Sequence, residues 1–180
     1  MSSTDERSLV MRILQGDRDA FGEIVHRHQQ AVFNVAYRVL GNVHDSEDAT
    51  QEAFIRAYQF INRFDPDRPL APWLARIAVN VCLNRLESQK SLSAFDEETT
   101  LASDPNPGPE IQKIASDRNE TIRYELSRLP PRYRVVIELR HFQELSYEEI
   151  AEQLKRPLGA IKSDLFRARK LLAERLKGLI

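Results

Sequence analysis

Basic and polar side chains in the last quarter of the chain have the types and spacing that suit hydrogen bonding to DNA. Lysine and arginine can pair with guanine edges or with phosphates, and serine can do either. Asp164 is the acidic exception among them. The pattern favours DNA binding, and a charged helix face that is simply solvated is the alternative. The side chains in question are Lys162, Ser163, Arg167, Arg169 and Lys170.

Two helices joined by a very short turn would position these side chains. Ser146 is a good N-cap, and Glu149 three residues later completes a capping box. Ala151 lies on the narrow apolar face of the first helix, where a small residue lets two helices cross closely. Pro157 suits the start of a second helix, and Ile161 begins its buried side. The sequence therefore predicts a helix-turn-helix whose second helix enters a major groove.

Two Glu-x-x-His motifs supply a rival interpretation. Glu23 and His26 form one, and Glu138 and His141 form the other. Such motifs are ligands in ferritin-like di-iron helical bundles, so an iron enzyme or an iron-storage protein is the rival class. The motifs fall on opposite sides of an expected linker, however, whereas a di-iron site needs all its helices in one bundle. We therefore expect no metal site, no cofactor and no catalytic centre.

The amino-acid composition limits the classes of protein to which the chain can belong. The 180 residues are 42% hydrophobic and 29% charged, with a net charge of −1, which is ordinary for a globular protein. Cys82 is the only cysteine, and no apolar run is long enough to span a bilayer. We expect a cytoplasmic protein without direct membrane insertion. The last quarter is basic while 45–52 and 96–110 are acidic, so DNA binding by the chain alone should be weak.

Periodicity is helical almost throughout, which predicts an all-α protein of two small domains. Asp19 is a candidate cap for a long second helix that closes at Gly41. Residues 91–115 are acidic and proline-rich, a composition typical of a flexible linker. The predicted division is a first domain at 1–90, the linker at 91–115 and a second domain at 116–180.

With both halves in view, the chain resembles the extracytoplasmic-function (ECF) class of bacterial sigma factors, within the sigma-70 family. Residues 45–58 resemble regions 2.1–2.2, and residues 72–85 resemble regions 2.3–2.4. Residues 129–140 with the following helix-turn-helix resemble region 4. The resemblance covers essentially the full length of the chain.

The resemblance implies a dissociable, non-enzymatic subunit that directs RNA polymerase core to a subset of promoters. The first domain would read and melt the −10 element, and the second would read the −35 element. Implied protein partners are the clamp helices of the largest polymerase subunit, the flap of the second-largest subunit and an anti-sigma factor in a stress response. Promoter DNA is the implied nucleic acid, and no small-molecule substrate is implied. A conventional DNA-binding regulator is the remaining alternative, but it leaves the first ninety residues unexplained.

The resemblance also implies residue roles. In the first domain Asn80 and Asn84, one turn apart on what we expect to be the buried face, would read base edges. Arg76 and Arg85 would hold phosphates, and Trp73 would either stack on DNA or pack in the core. The implied set for core docking is Asp48, Gln51, Glu52 and Arg56, and the loop residues added to the −10 set are Asp65, Asp67 and Arg68.

In the second domain the implied −35 contacts lie on the second helix of the helix-turn-helix. Asp164 stands where relatives often carry a basic residue, which leaves the −35 sequence open. It could accept a hydrogen bond from cytosine or tune an adjacent arginine. The implied −35 set is Lys162, Ser163, Phe166, Arg167 and Arg169.

Overall fold

A computed structural model describes residues 3–93 and 118–177, with side chains placed at 5–89 and 121–177. The described residues form helices and connecting turns, with no strand among them, which confirms the all-α prediction. The linker predicted at 91–115 lies almost entirely outside the described residues. No helix within the two described ranges is long and apolar enough to cross a membrane.

The described helices fall into two groups along the chain. The first group contains α1 (Ser3–Leu14), α2 (Arg18–Leu40), α3 (Val43–Phe60), a short 3₁₀ turn (Ile61–Arg63) and α4 (Leu70–Ser93). The second group contains α5 (Arg118–Ser127), α6 (Pro131–Ile137), a π-helical turn (Glu138–Phe142), α7 (Tyr147–Leu154) and α8 (Leu158–Leu176).

Local hydrogen bonds determine where the long α2 helix begins and ends. The Asp17 carboxylate accepts from the backbone N–H groups of Asp19 and Ala20, so Asp17 is the N-cap and the expectation for Asp19 was wrong. Asp17 has the extended backbone that a cap requires, whereas Asp19 is already inside the first turn. At the other end Gly41 takes a left-handed conformation, with φ 81°, and its N–H bonds the Tyr37 carbonyl.

Helix α2 is the centre of the first domain and packs against α1, α3 and α4. Its inner side carries Ile24 and Val39, which are buried together with Leu74 and Val79 of α4. Burial of each such side chain contributes roughly 1.5–3 kcal/mol. This core holds α3 and α4 side by side, so that their outer faces form one surface.

The second domain is built around the contact of α8 with α6 and α7. Ser146 accepts from the Glu149 N–H while the Glu149 carboxylate accepts from the Ser146 N–H, which confirms the predicted capping box. Ile150, Ile161 and Leu165 are buried where the helices cross. Helix α8 begins directly after Pro157, as the sequence predicts. One side of α8 is thereby buried and the other is left in solvent.

The two domains also contact each other. The C-terminal end of α2 packs against α5, α6 and the π-helical turn. Two buried charged residues of the second domain, Arg134 and Glu138, lie in this contact. Both make hydrogen bonds to α2, so the described parts of the chain form one packed body.

Candidate functional site

The outer face of α3 carries the polar residues predicted for core docking. Asp48 and Gln51 are exposed, and Glu52 and Arg56 are half-buried. Ile55 was not among the predicted docking residues, although its side chain is 59% exposed in the middle of this face. The sequence does contain a signal for this exposure, because Ile55 lies outside the helical spacing of the buried apolar residues of α3. An apolar residue ringed by charges is typical of the centre of a protein-binding surface.

Glu52 joins the predicted docking residues to the predicted DNA residues. Its Oε1 accepts from Arg56 Nη2 at 2.6 Å, and its Oε2 accepts from Arg85 Nη2 of α4 at 3.1 Å. Arg85 also lies 3.8 Å from an Asp48 carboxylate oxygen. Since Arg85 is already paired, its positive charge is partly neutralised on the protein itself. The predicted docking site and the predicted −10 site therefore share one ion-pair network across α3 and α4.

The exposed face of α4 presents a stripe of three polar side chains. Arg76, Asn80 and Asn84 recur every four residues and all three are exposed, so the expectation that the asparagines lie on the buried face was wrong. Side chains four apart lie above one another on a helix. Asn84 also lines an open cleft with Glu52 and Arg85. An exposed amide can read a base edge with both its donor and its acceptor.

Trp73 and the loop before α4 are held by contacts with the residues around them. The Trp73 ring is half-buried and lies 4.9 Å from the Phe64 ring, tilted by 45°, so it packs against the core. Asp65, Asp67 and Arg68 are exposed. The Asp65 carboxylate accepts from the Asp67 N–H and lies 3.6 Å from the Arg68 guanidinium. Asp67 also pairs with Arg7 of α1, so the loop is a turn with charged tips, directly before α4 and tied to α1.

Helix α8 exposes most of the predicted −35 residues on one side. Lys162, Arg167 and Arg169 are exposed, and Ser163 is half-buried. Phe166 is 70% exposed, an unusual position for a large apolar side chain. A ring at such a position can contact a thymine methyl group in a major groove. The exposed side of α8 thus combines positive charge with one apolar contact.

Asp164 does not belong to that exposed side. It is buried, and its carboxylate accepts from Arg156 Nη2 at 2.6 Å. Arg156 lies in the turn between α7 and α8. The structure therefore contradicts the base contact considered for Asp164, and the arginine that Asp164 holds is Arg156, which lies outside α8. Its carboxylate ties the turn to the second helix from the inside.

The two Glu-x-x-His motifs are far apart and engaged elsewhere. Glu23 is exposed and pairs with Arg27, whereas Glu138 is fully buried and pairs with Arg38. Positions 23 and 38 lie fifteen residues apart on α2, about 22 Å along the helix axis. His141 contacts Arg169 Nε at 3.4 Å, and burial followed by the charges of Arg169 and Arg140 lowers its pKa. The four motif residues therefore do not converge on one metal ion.

Comparison with known proteins assigns both domains to one family. Residues 24–92 match the family model described as sigma-70 region 2, and residues 119–172 match the one described as sigma-70, region 4. The chain is 37% identical to the ECF RNA polymerase sigma factor SigW of Bacillus subtilis, over 94% of this chain and 96% of the relative. It is 34% identical to the ECF RNA polymerase sigma-E factor of Escherichia coli strain K12, over 97% and 96% of the two chains.

Solved structures share the fold. The sigma factor RpoE of Bartonella quintana, solved in complex with the anti-sigma factor NepR, superimposes with a TM-score of 0.63 at 23% identity, over 87% of this chain and 96% of that one. CnrH, solved in complex with the cytosolic domain of CnrY, gives a TM-score of 0.51 at 26% identity, over 97% and 98% of the two chains.

Proposed function

Because this chain belongs to the ECF group of the sigma-70 family, we propose that it performs promoter-directed initiation through the three surfaces described above. As a sigma factor it binds RNA polymerase core and directs transcription initiation from specific promoters. The polymerisation chemistry belongs to the core enzyme, and we assign no catalytic step to this chain. The observation that carries the proposal is the exposed basic side of α8, which lies inside the region 4 match.

Recognition of the −35 element is assigned to α8. Lys162, Arg167 and Arg169 supply the phosphate or guanine contacts, and Phe166 supplies the apolar one. Ser163, at the edge of the exposed side, adds a short hydroxyl contact. The buried residues of the same helix support this assignment, because they hold the exposed side at a constant angle to the rest of the domain.

Recognition of the −10 element is assigned to the stripe on α4. Arg76, Asn80 and Asn84 face solvent together, so an unstacked base could meet two amides and a guanidinium at once. Arg85 can contact a phosphate beside these residues only after its ion pair with Glu52 has broken. The loop residues Asp65, Asp67 and Arg68 directly precede α4 and are proposed to join this site. Trp73 packs against Phe64 and thereby holds the first turns of α4 in place.

Docking to polymerase core is assigned to the outer face of α3. Ile55 supplies the apolar centre, and Asp48, Gln51, Glu52 and Arg56 supply the charged rim. Rim charges mainly raise the association rate, whereas a central apolar residue stabilises the bound state. The partner contacts proposed are the clamp helices of the largest subunit for α3 and the flap of the second-largest subunit for the second domain.

We also propose an anti-sigma partner. The likeness to CnrH, a chain solved with a bound cytosolic domain of another protein, supports this proposal. Such a partner would act by covering the α3 face, the α8 face or both.

Transcription from a promoter library with purified core and this chain tests the proposal. Arg167→Ala should reduce transcription from −35-dependent promoters about tenfold, since one good contact contributes about 1–3 kcal/mol. Lys155→Ala, which removes an exposed cation from the turn between α7 and α8, is the matched control and should transcribe normally. A conventional regulator would give no transcript with core alone, and that result across the library would refute the function.

A further inference from the structure

Arg132, in the first turn of α6, lies outside every set of DNA residues named above. Its side chain is exposed, but it is held in place by its neighbour Tyr133. The guanidinium lies over the Tyr133 ring, 4.6 Å from its centre, and Nη2 donates to the Tyr133 hydroxyl at 2.6 Å. Tyr133 is 6% exposed and belongs to the hydrophobic core of the helix that packs on α8. A buried ring and its hydroxyl therefore fix the position of an exposed positive charge.

No carboxylate neutralises this charge at close range. In the part of the chain whose side chains are placed, Arg132 forms no ion pair, and its side-chain partner is a neutral hydroxyl. Arg128, four residues earlier, differs because it pairs with Glu125 at 3.9 Å. The hydrogen bond that Arg132 donates raises its pKa, so the guanidinium stays charged. The positive charge of Arg132 is thus both ordered and available to an anion.

Tyr133 also connects this charge to the exposed side of α8. The hydrogen bond from Arg132 lowers the pKa of the Tyr133 hydroxyl most, and the nearby Arg167 guanidinium lowers it further. A phenolic oxygen has two lone pairs, so it can accept from two guanidinium groups. Asp164, one turn before Arg167, is also close enough for its charge to contribute to the raised pKa of Arg132. Arg132 and Arg167 therefore lie side by side, one from each helix.

The exposed side of α8 has two edges, and Arg167 and Arg169 lie on different ones. Successive residues of a helix are turned by about 100°, so residues two apart point to nearly opposite sides. Phe166 lies between the two arginines on the exposed side. At the Arg169 edge, His141 contacts Arg169 Nε at 3.4 Å. At the Arg167 edge, the neighbouring side chain is Arg132.

A helix that enters a major groove has a phosphate backbone along each edge. With its side chains an α-helix is about 10–12 Å across, and the groove is about 12 Å wide. The edge of α8 that carries Arg167 therefore faces one of the two rows of phosphates, and Arg132 extends this edge beyond the helix. The forked donors of arginine match phosphate oxygens. An arginine that is already held also loses less conformational entropy when it binds.

We propose that Arg132 is a further DNA-backbone contact of the −35 site and that Tyr133 is the residue that positions it. The role of Arg132 rests on the proposed assignment of −35 recognition to α8. Its ligand is a phosphate of the groove wall beside Arg167, so the contact adds affinity without selecting a base. The DNA surface of the second domain then combines base contacts from α8 with a backbone contact from α6.

Binding of the full-length chain to a labelled duplex of random sequence, over a series of salt concentrations, tests this contact without a known promoter. Arg132→Gln removes the charge and keeps a polar, exposed side chain. The slope of log affinity against log salt should fall by about one, and affinity at low salt by about threefold or more. Arg128→Gln is the matched control, because Arg128 is exposed over the Tyr124 ring but is paired with Glu125. It should leave the slope unchanged.

Tyr133→Phe tests the positioning role, since it keeps the ring in the core and removes the hydroxyl. We expect affinity for the duplex to fall about threefold at unchanged Tm, because Arg132 must then be ordered on binding. In the Arg132→Gln background the same substitution should cost less, because the residue that it positions is gone. A merely structural role of Tyr133 would give equal losses in both backgrounds, and that result would refute the positioning role.

Two results would overturn the backbone contact. One is an Arg132→Gln chain with the wild-type slope, or an Arg128→Gln chain whose slope falls equally. The other is an Arg132→Gln chain that binds the duplex normally but binds polymerase core more weakly, because α6 would then face the polymerase. Failure of the proposed function is separately visible, since wild-type protein would give no transcript with core while the duplex measurements still report on Arg132.

Discussion

Replacement of Asp164 by asparagine separates a structural role from a DNA-reading role at one position. The Asp164 side chain is 6% exposed, and its carboxylate holds the Arg156 guanidinium at 2.6 Å. The Asp164→Asn change keeps the volume of the side chain and removes its charge. We expect the second domain to lose stability while the preference for −35 bases stays unchanged, because Asp164 faces the inside of the domain.

The expected loss lies between two limits. A hydrogen bond to a charged group contributes about 1.5–3 kcal/mol, and breaking a fully buried ion pair costs about 3–5 kcal/mol. Arg156 is 34% exposed and can be solvated when it is released, so the lower range applies. We expect a loss of about 2 kcal/mol. For a domain of this size each kcal/mol shifts Tm by about 4–8 °C, so the second domain should unfold roughly 10 °C lower.

Two measurements on the same preparations check this expectation. Thermal unfolding followed by circular dichroism reports stability, and holoenzyme transcription from promoters with single −35 substitutions reports base preference. Lys162→Gln, two residues earlier on the exposed side of α8, is the matched control and should weaken binding without lowering Tm. An Asp164→Asn protein with unchanged Tm and a tenfold altered −35 preference would refute the reasoning.

Three further predictions concern the thiol, a helix cap and the ion-pair network. Burial raises the pKa of Cys82 to about 12, so iodoacetamide should label it only after unfolding, as mass spectrometry can show; rapid labelling of native protein would contradict this. The Ser146 N–H lowers the pKa of Glu149 below its ordinary value, so this cap stabilises fully above that value and less as pH falls through the lowered one. Glu149→Gln should therefore flatten the acid side of the Tm-against-pH curve, and an unchanged curve would contradict the assignment. Glu52→Gln should free Arg85 for a phosphate and steepen the salt dependence of DNA binding by about one ion, whereas Glu87→Gln should not.

Helix ends were predictable where the deciding hydrogen bonds join residues close in sequence. The Ser146–Glu149 capping box and the glycine that ends α2 are of this kind. The N-cap of α2 was misassigned because Asp17 and Asp19 are chemically equivalent candidates two residues apart. Only the extended backbone at Asp17 distinguishes them, and composition does not encode that angle.

For two wrong predictions about which residues are buried, the sequence contains a pattern that indicates the correct answer. Asp164 lies three residues after Ile161 and four before Ala168, so helical spacing already places it on the buried side of α8. Asn80 and Asn84 share a spacing of four with the exposed Arg76, which places them on the outer side of α4. In both cases helical spacing indicates the observed face, whereas residue type alone does not.

The sequence by itself determined the helical class, the helix-turn-helix, the family resemblance and the residue types available for each surface. These depend on periodicity and on hydrogen bonds between residues three or four positions apart, so they are visible in the amino-acid sequence. Tertiary structure alone decided that Glu52 pairs with Arg85, 33 positions away, and that Arg38 pairs with Glu138, 100 positions away. The physical reason is that the ion-pair partner of a charged side chain depends on distance and burial in the folded state. The packing of the helices determines both.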